Sequence, residues 1–202
     1  MIDMYVINLK IRTDRLEQIK NDFSNYNLNI IEAEETINER WKGCFISHLK
    51  CIRLAKLKKL DYIIVIEDDC KKAINFDNDL IHILNWLEKN NDKWNIFLGG
   101  VTGVWNYNNS ITICNDLNLI EIDVGKTFHF IIYNSNSYDF FLNSEINIPI
   151  DKCWHNKLIG FVSIPFIATQ YEGYSNIENK QISYYNRFDS IEKNFTSMLK
   201  KK

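Results

Sequence analysis

The octapeptide IIVIEDDC, residues 63–70, joins an apolar segment directly to three consecutive carboxylates. Residues 63–66 are β-branched and apolar on both faces, which is typical of a strand buried inside a sheet that helices cover on both sides. Glu67, Asp68 and Asp69 follow where that strand would end. Three adjacent acids repel one another, so each needs water, a basic partner or a cation. The octapeptide therefore predicts an α/β fold with an acidic site at the carboxyl edge of its sheet.

The segments around this strand extend the same prediction. Apolar residues at helical spacing predict helices over residues 12–26, 43–60, 76–90, 135–143, 150–160 and roughly 187–202. Runs rich in Ile, Val, Phe and Tyr predict strands over residues 2–9, 29–34, 94–100, 127–134 and 161–170, and a hairpin over residues 110–123. Strands and helices alternate in the first half, and antiparallel material follows. We expect a Rossmann-type mixed sheet, mostly parallel and flanked by helices, within one domain over residues 1–202.

Composition excludes several classes of protein. The net charge of −2 and the pI of about 6.1 carry no nucleic-acid-binding signature. No apolar run is long enough to cross a membrane, and the first residues lack the pattern of a signal peptide. The five cysteines contain no C-x-x-C pair, so we expect free thiols in the cytoplasm, with Cys44 and Cys51 facing the core.

The acidic strand end has two interpretations from the residues alone. Residues two apart share one side of an extended chain, so Glu67 and Asp69 would point together, and hard cations such as Mn²⁺ or Mg²⁺ prefer carboxylate oxygens. Alternatively, Asp68 or Asp69 caps the next segment while Lys71 and Lys72 neutralise the remaining charge. A phosphorelay receiver domain also places an acid pair after an apolar strand. Receivers put that pair after the first strand, however, and here the first strand ends in Asn8.

Six segments, in order, resemble glycosyltransferase family 25, the lipooligosaccharide and collagen galactosyltransferase group. They are YVINLKIRTDRLEQI (5–19), GCFISHLKCI (43–52), IIVIEDD (63–69), GKTFHFIIYNSNSYDFFL (125–142), IPID (148–151) and IATQYEGYSNI (167–177). The compact length resembles single-domain versions that large DNA viruses encode. The resemblance implies a GT-A-like fold, Mn²⁺ or Mg²⁺, and inverting transfer of a galactose- or glucose-type sugar from a UDP-sugar to a hydroxyl acceptor on a glycan, lipid or protein.

The resemblance also implies roles for particular residues. Asp69 becomes the metal ligand and Asp151 the general base that deprotonates the acceptor. Nucleotide-sugar binding falls to Asn8, Arg12, Arg15, Gly43, Ser47, His48, Glu67, Asp68, Gln170 and Ser175, with Asn176 in the same loop. The motif here is Glu-Asp-Asp instead of the family's Asp-x-Asp, which leaves the role of Glu67 open.

These residues also have alternative interpretations that involve no catalysis. Asp151 could be a helix N-cap, His48 a packing residue, and Arg12 or Arg15 a solvated first-turn residue. His129 could face either the site or solvent, and Trp154 could bind a sugar face or lie in the core. The whole chain could also be a catalytically silent relative that binds nucleotide or sugar.

Overall fold

The computed structural model describes residues 1–104, 107–175 and 178–200, and within these ranges the chain folds around an eight-stranded sheet. The strand order is β2-β1-β3-β8-β5-β9-β7-β6. The strands of this sheet are β1 (Asp3–Asn8), β2 (Asn27–Glu32), β3 (Tyr62–Glu67), β5 (Ile96–Leu98), β6 (Tyr107–Cys114), β7 (Leu117–Ile122), β8 (Phe130–Asn134) and β9 (Gly160–Ile164).

Two short ribbons accompany the main sheet. β4 (Cys70–Lys72) pairs antiparallel with β10 (Ala168–Gln170), and β11 (Gly173–Ser175) pairs antiparallel with β12 (Lys180–Ile182). The helices are α1 (Thr13–Asp22), α2 (Arg40–Leu57), α3 (Phe76–Lys89), α4 (Tyr138–Leu142), α5 (Ile150–Cys153) and α6 (Tyr185–Leu199), with a 3₁₀ turn at Ser135–Ser137. No helix among the described residues is both long and apolar enough to cross a membrane.

The α/β class and the mixed sheet flanked by helices are confirmed, but the parallel share is smaller than the sequence predicted. Three of the seven pairings that the described strands make in this sheet are parallel: β1–β2, β1–β3 and β5–β9. Two of the four antiparallel pairings come from β8, which runs antiparallel to both of its neighbours, β3 and β5, and the other two come from β7 with β6 and β9. An antiparallel neighbour beside β3 also argues against the receiver alternative, whose doubly wound sheet is parallel.

The octapeptide strand lies inside the sheet as predicted. Residues 63–66 in β3 are at most 1% exposed. Ile63 and Val65 pack on one face with α2, α4, α5 and α6, while Ile64 and Ile66 pack on the other face with α1 and α3. Because both faces are buried, alternation is lost and the sequence is continuously apolar.

Candidate active site

A cleft opens at the carboxyl ends of β1, β2 and β3. It consists of a small recess of about 150 Å³ and a larger one of about 550 Å³. Arg15, Cys44, Glu67, Asp69 and Ser175 line both recesses, so the two form one continuous cleft. The position is the one at which open α/β sheets bind ligands.

Asp68 and Asp69 are held at the cleft by polar partners from distant parts of the chain. Asp68 accepts hydrogen bonds from Asn8 Nδ2 and Arg15 Nη1, each over 2.8 Å. Asp69 accepts from Arg15 Nη1 and from Gln170 Nε2, each over 3.3 Å. Asn8, Arg15, Asp68, Asp69 and Gln170 are therefore brought together, although up to 162 residues separate them in sequence.

The capping alternative for these acids does not hold. Strand β4 begins directly after Asp69, so no helix follows that Asp68 or Asp69 could cap. Lys72 pairs with Asp77, and Lys71 lies over the Tyr171 ring. It is Arg15, from α1, that provides positive charge to the pair.

The positive charge of Arg15 does not fully offset the effect of burial on the pKa values of Asp68 and Asp69. Burial and the neighbouring Glu67 carboxylate raise the pKa of Asp69 to about 7, and Arg15 only partly opposes them. Burial also raises the pKa of Asp68, against the hydrogen bonds from Arg15 and Asn8. Burial and mutual repulsion disfavour the charged forms of these carboxylates, and a bound cation would relieve both effects.

Glu67 has a different set of partners. Its Oε1 lies 3.2 Å from His48 Nε2 and accepts from the Cys44 thiol over 3.3 Å. The opposite ring nitrogen of His48 lies 2.9 Å from the Tyr133 hydroxyl. Burial raises the pKa of Glu67, but the contacts with His48 and Cys44 more than offset it and the pKa is lowered. Burial and Glu67 in turn raise the pKa of the Cys44 thiol.

Gly43 and Ser47 shape the loop that borders the small recess. Helix α2 starts at Arg40, three residues before the predicted start, so the Gly43 N–H is not at the helix end and donates to Thr36 Oγ1 over 3.2 Å. A Cβ at Gly43 would lie 2.3 Å from the Glu34 carbonyl oxygen. Ser47 Oγ accepts from the Glu34 N–H over 2.8 Å and donates to the Gly43 carbonyl. Both residues hold residues 34–36 against the helix.

The β11–β12 hairpin covers one side of the cleft. The Tyr174 carbonyl accepts from Arg12 Nη1 over 3.3 Å and from Arg15 Nη2 over 2.9 Å. Arg12 also forms an ion pair with Asp14, and Arg40 donates to Asn179 Oδ1 over 3.1 Å. Arg12 and Arg15 are thus tied to the hairpin and are not solvated first-turn residues. Ser175 lines the cleft, whereas Asn176 lies outside the described residues.

Asp151 lines the larger recess, which Glu67 and Asp69 also line. Pro149 occupies the N-cap position of α5, so Asp151 is not the cap residue. Its Oδ2 instead accepts from the Thr127 N–H over 3.2 Å, and Thr127 has a positive φ of 79°. Burial raises the pKa of Asp151, which this hydrogen bond only partly opposes. A carboxylate fixed in this way in a cleft is a candidate base.

The structure fixes the surroundings of two aromatic side chains and two cysteines that the sequence singled out. His129 is buried, not at the surface, with its ring 5.2 Å from that of Phe188, and burial lowers its pKa to about 4. Trp154 is fully buried in the core. Cys51 is buried as expected, but Cys44 lines the cleft, which corrects the expectation for that residue.

Three residues of the site, Cys44, Thr127 and Tyr133, were not predicted from the sequence. One signal was available for Cys44, since it lies four residues before His48 and therefore on the same face of α2. Thr127 and Tyr133 belong to β8 and the loop before it, and nothing local places that strand beside β3.

No family model matches the chain, and no curated protein matches it. Solved structures that align with it include the crystal structure of A197 from STIV, at 11% identity over 90% of this chain and 93% of the other, with a TM-score of 0.48. Another is the crystal structure of a glycosyltransferase involved in the glycosylation of the major capsid of PBCV-1, at 11% identity over 69% of this chain and 63% of the other, with a TM-score of 0.44. Neither likeness extends to a match in sequence, so the chemistry of this chain rests on its own residues.

Proposed function

We propose that this chain is an inverting, metal-dependent glycosyltransferase that moves a galactose- or glucose-type sugar from a UDP-sugar to a hydroxyl acceptor on a glycan, lipid or protein in the cytoplasm. The observation that carries the proposal is the single cleft with two different carboxylate sites. The triplet of acids with Arg15 lies at the sheet edge, and Asp151 lines the larger recess. Membership of glycosyltransferase family 25 is part of the same proposal.

The small recess suits the nucleotide. Ile7, Leu9 and Ala33 supply apolar surface for a base, while Glu34, Glu35 and Thr36 offer acceptors and a hydroxyl to base and ribose. Arg15 and Arg40 line the same recess. A single guanidinium group can bind two phosphate oxygens at once. A diphosphate there would share Arg15 with Asp68 and Asp69.

The residues around Asp69 fit a hard divalent cation. Gln170 donates to Asp69 through its amide nitrogen, and its carbonyl oxygen Oε1 is buried without a hydrogen-bond partner among the described residues. A carboxylate beside an unpartnered amide oxygen is a donor set for Mn²⁺ or Mg²⁺. Asp69 and Gln170 would hold the ion. When bound, it would neutralise the charge of the departing diphosphate.

Asp151 would activate the acceptor. The Thr127 N–H holds Oδ2 and so fixes the orientation of the carboxylate. The raised pKa makes Asp151 a stronger base than an exposed aspartate, and at neutral pH a carboxylate there would take the proton of an acceptor hydroxyl. Lys126, Lys152 and Arg187 line the same recess, where they would contact the acceptor.

The direct test is a screen of UDP-sugars with Mn²⁺ that measures both binding and UDP release in the presence of simple sugar acceptors. We expect Mn²⁺-dependent binding of UDP and release of UDP from UDP-galactose or UDP-glucose. Binding of UDP-sugar without transfer or hydrolysis would instead support a catalytically silent nucleotide-binding relative. Absence of any UDP binding would reject the proposal.

A further inference from the structure

Cys44, His48 and Glu67 bring three different ligand atoms together beside the acid pair. Cys44 Sγ, His48 Nε2 and Glu67 Oε1 all lie within 4.8 Å of one another. The sulfur lies 3.3 Å from the carboxylate oxygen, and the ring nitrogen lies 3.2 Å from it. Thiolate, imidazole and carboxylate are the three ligand types that zinc sites in proteins use.

The two separations at Glu67 Oε1 suit a bound transition metal. Zn–S bonds of about 2.3 Å and Zn–N or Zn–O bonds of about 2.0–2.2 Å place tetrahedral ligand atoms roughly 3.3–3.7 Å apart. The two contacts at Glu67 Oε1 therefore need only a small widening to admit the ion. Beyond the cluster, the Tyr133 hydroxyl lies 2.9 Å from His48 Nδ1. Such an outer partner fixes the orientation of a ligating imidazole.

The cluster also leaves one side open. Cys44 and Glu67 line both recesses of the cleft, whereas His48 is fully buried behind them. Three protein ligands with a fourth position facing a cleft is the arrangement of a zinc site that binds an exchangeable ligand.

Charge favours the same conclusion. Arg15 pairs with Asp68 and Asp69, and among the described residues Glu67 has no ion pair with a lysine or arginine. A divalent cation at the cluster would balance the Glu67 carboxylate and a Cys44 thiolate together.

We propose that Cys44, His48 and Glu67 form a binding site for Zn²⁺ or a similar borderline transition metal, separate from the hard-cation site at Asp69. Binding replaces the S–H bond of Cys44 with a sulfur–metal bond and releases that proton to solvent, with no change of oxidation state. The His48 Nδ1–H then donates to the Tyr133 oxygen. Sulfur and imidazole ligands select such ions over Mg²⁺ and Mn²⁺. The proposal stands whether or not the chain transfers sugar.

The experiment is a titration of the metal-free protein with Co²⁺, which reports thiolate ligation through a sulfur-to-cobalt charge-transfer band. We expect a 1:1 complex with this band, displaced by Zn²⁺ and not by excess Mg²⁺. Cys44→Ser should abolish the band, and Tyr133→Phe should weaken binding by about 10–100-fold. Cys51→Ser is the matched control, since Cys51 is a buried thiol on the same helix that does not belong to the cluster; its spectrum should be unchanged.

A second measurement uses the wild-type chain and so does not depend on any variant folding. Zn²⁺ should protect Cys44 from alkylation by iodoacetamide, read by peptide mass, while leaving Cys114 as reactive as before. Asp69→Asn should keep the cobalt band even where it loses Mn²⁺-dependent UDP binding, which separates this proposal from the proposed function. A folded wild-type protein without the charge-transfer band, or with unprotected Cys44 at saturating Zn²⁺, would show that the cluster is a hydrogen-bond network only and would overturn the proposal.

Discussion

Gln170 donates its side-chain N–H to Asp69 Oδ1 over 3.3 Å, while its own carbonyl oxygen is buried without a partner among the described residues. A buried acceptor left without a donor costs about 1–3 kcal/mol. A cation that takes both this oxygen and the Asp69 carboxylate removes that cost. The hydrogen bond between these two residues therefore joins β10 to the acidic motif that follows β3.

The first prediction concerns this oxygen. Gln170→Ala removes one proposed ligand and should weaken Mn²⁺ binding in the presence of UDP by about tenfold, equivalent to ~1.4 kcal/mol. Calorimetry with Mn²⁺ and UDP measures the change. Gln181→Ala, at an exposed residue of β12, is the control and should bind as wild type does. Equal Mn²⁺ affinity in both variants would remove Gln170 from the ligand set.

The second prediction concerns Asp69. Asp69→Asn keeps the shape of the side chain and removes a buried charge, so the metal-free variant should melt at the same temperature as wild type or higher. Mn²⁺-dependent UDP binding should be lost, because the amide lacks the negative charge that holds the ion. Calorimetry and a thermal melt on one sample measure both, with Asp92→Asn at an exposed site as control. Retained Mn²⁺-dependent binding would refute the assignment.

The third prediction concerns Asp151. Asp151→Asn removes the ability to accept a proton while leaving the cation and Arg15 contacts in place, so UDP-sugar affinity should barely change. Turnover should fall by about 10²–10⁴-fold, the usual worth of general-base assistance. Transfer rate and donor affinity are measured together, and Asp139→Asn, at an exposed residue of α4, serves as control. Near-normal turnover would end the assignment of Asp151 as base.

The fourth prediction follows from the pKa of the same residue. The base must be unprotonated, and burial raises the pKa of Asp151 above the ordinary value of 3.8. The transfer rate should therefore fall, as pH is lowered, at a higher pH than an exposed aspartate would give. A pH profile of the rate at saturating donor checks this. A rate that stays flat down to pH 4 would mean that another group accepts the proton.

The fifth prediction concerns Gly43. Alanine favours helices over glycine by about 1 kcal/mol, so Gly43→Ala would stabilise an isolated helix. Here its Cβ would lie 2.3 Å from the Glu34 carbonyl oxygen, so the loop must move. We expect a net loss of about 1–3 kcal/mol in the free energy of unfolding, measured by urea denaturation. A Cβ at Gly173 would meet no described residue within 4 Å, so Gly173→Ala should leave stability nearly unchanged; equal stability of the two variants would contradict the prediction.

Local pattern was sufficient for the octapeptide strand and for the position of the acids. Residues 63–66 are apolar on both faces because two helical layers cover them, and this is readable from sequence. The β6–β7 hairpin was also predictable from local sequence, because only two residues separate its strands.

The site as a whole was less predictable because its contacts are long-range. Nothing near Tyr133 indicates that β8 inserts antiparallel between β3 and β5, and that placement decides what His48 touches. Likewise, the contact of Arg15 with the Tyr174 carbonyl joins residues 159 positions apart. Periodicity reports which face of an element is buried, and it carries no information on which element buries it.

Strand β8 has a consequence for synthesis of the chain. Among the strands that the structure describes, it is the one that joins the β2-β1-β3 half of the large sheet to the β5-β9-β7-β6 half. Until β8 emerges from the ribosome, β3 presents an unpaired, strongly apolar edge, and at roughly 5–20 residues per second that interval lasts on the order of several seconds. An open edge of this kind pairs readily with other chains. We therefore expect the nascent protein to be prone to aggregate in the interval when β3 has left the ribosome and β8 has not.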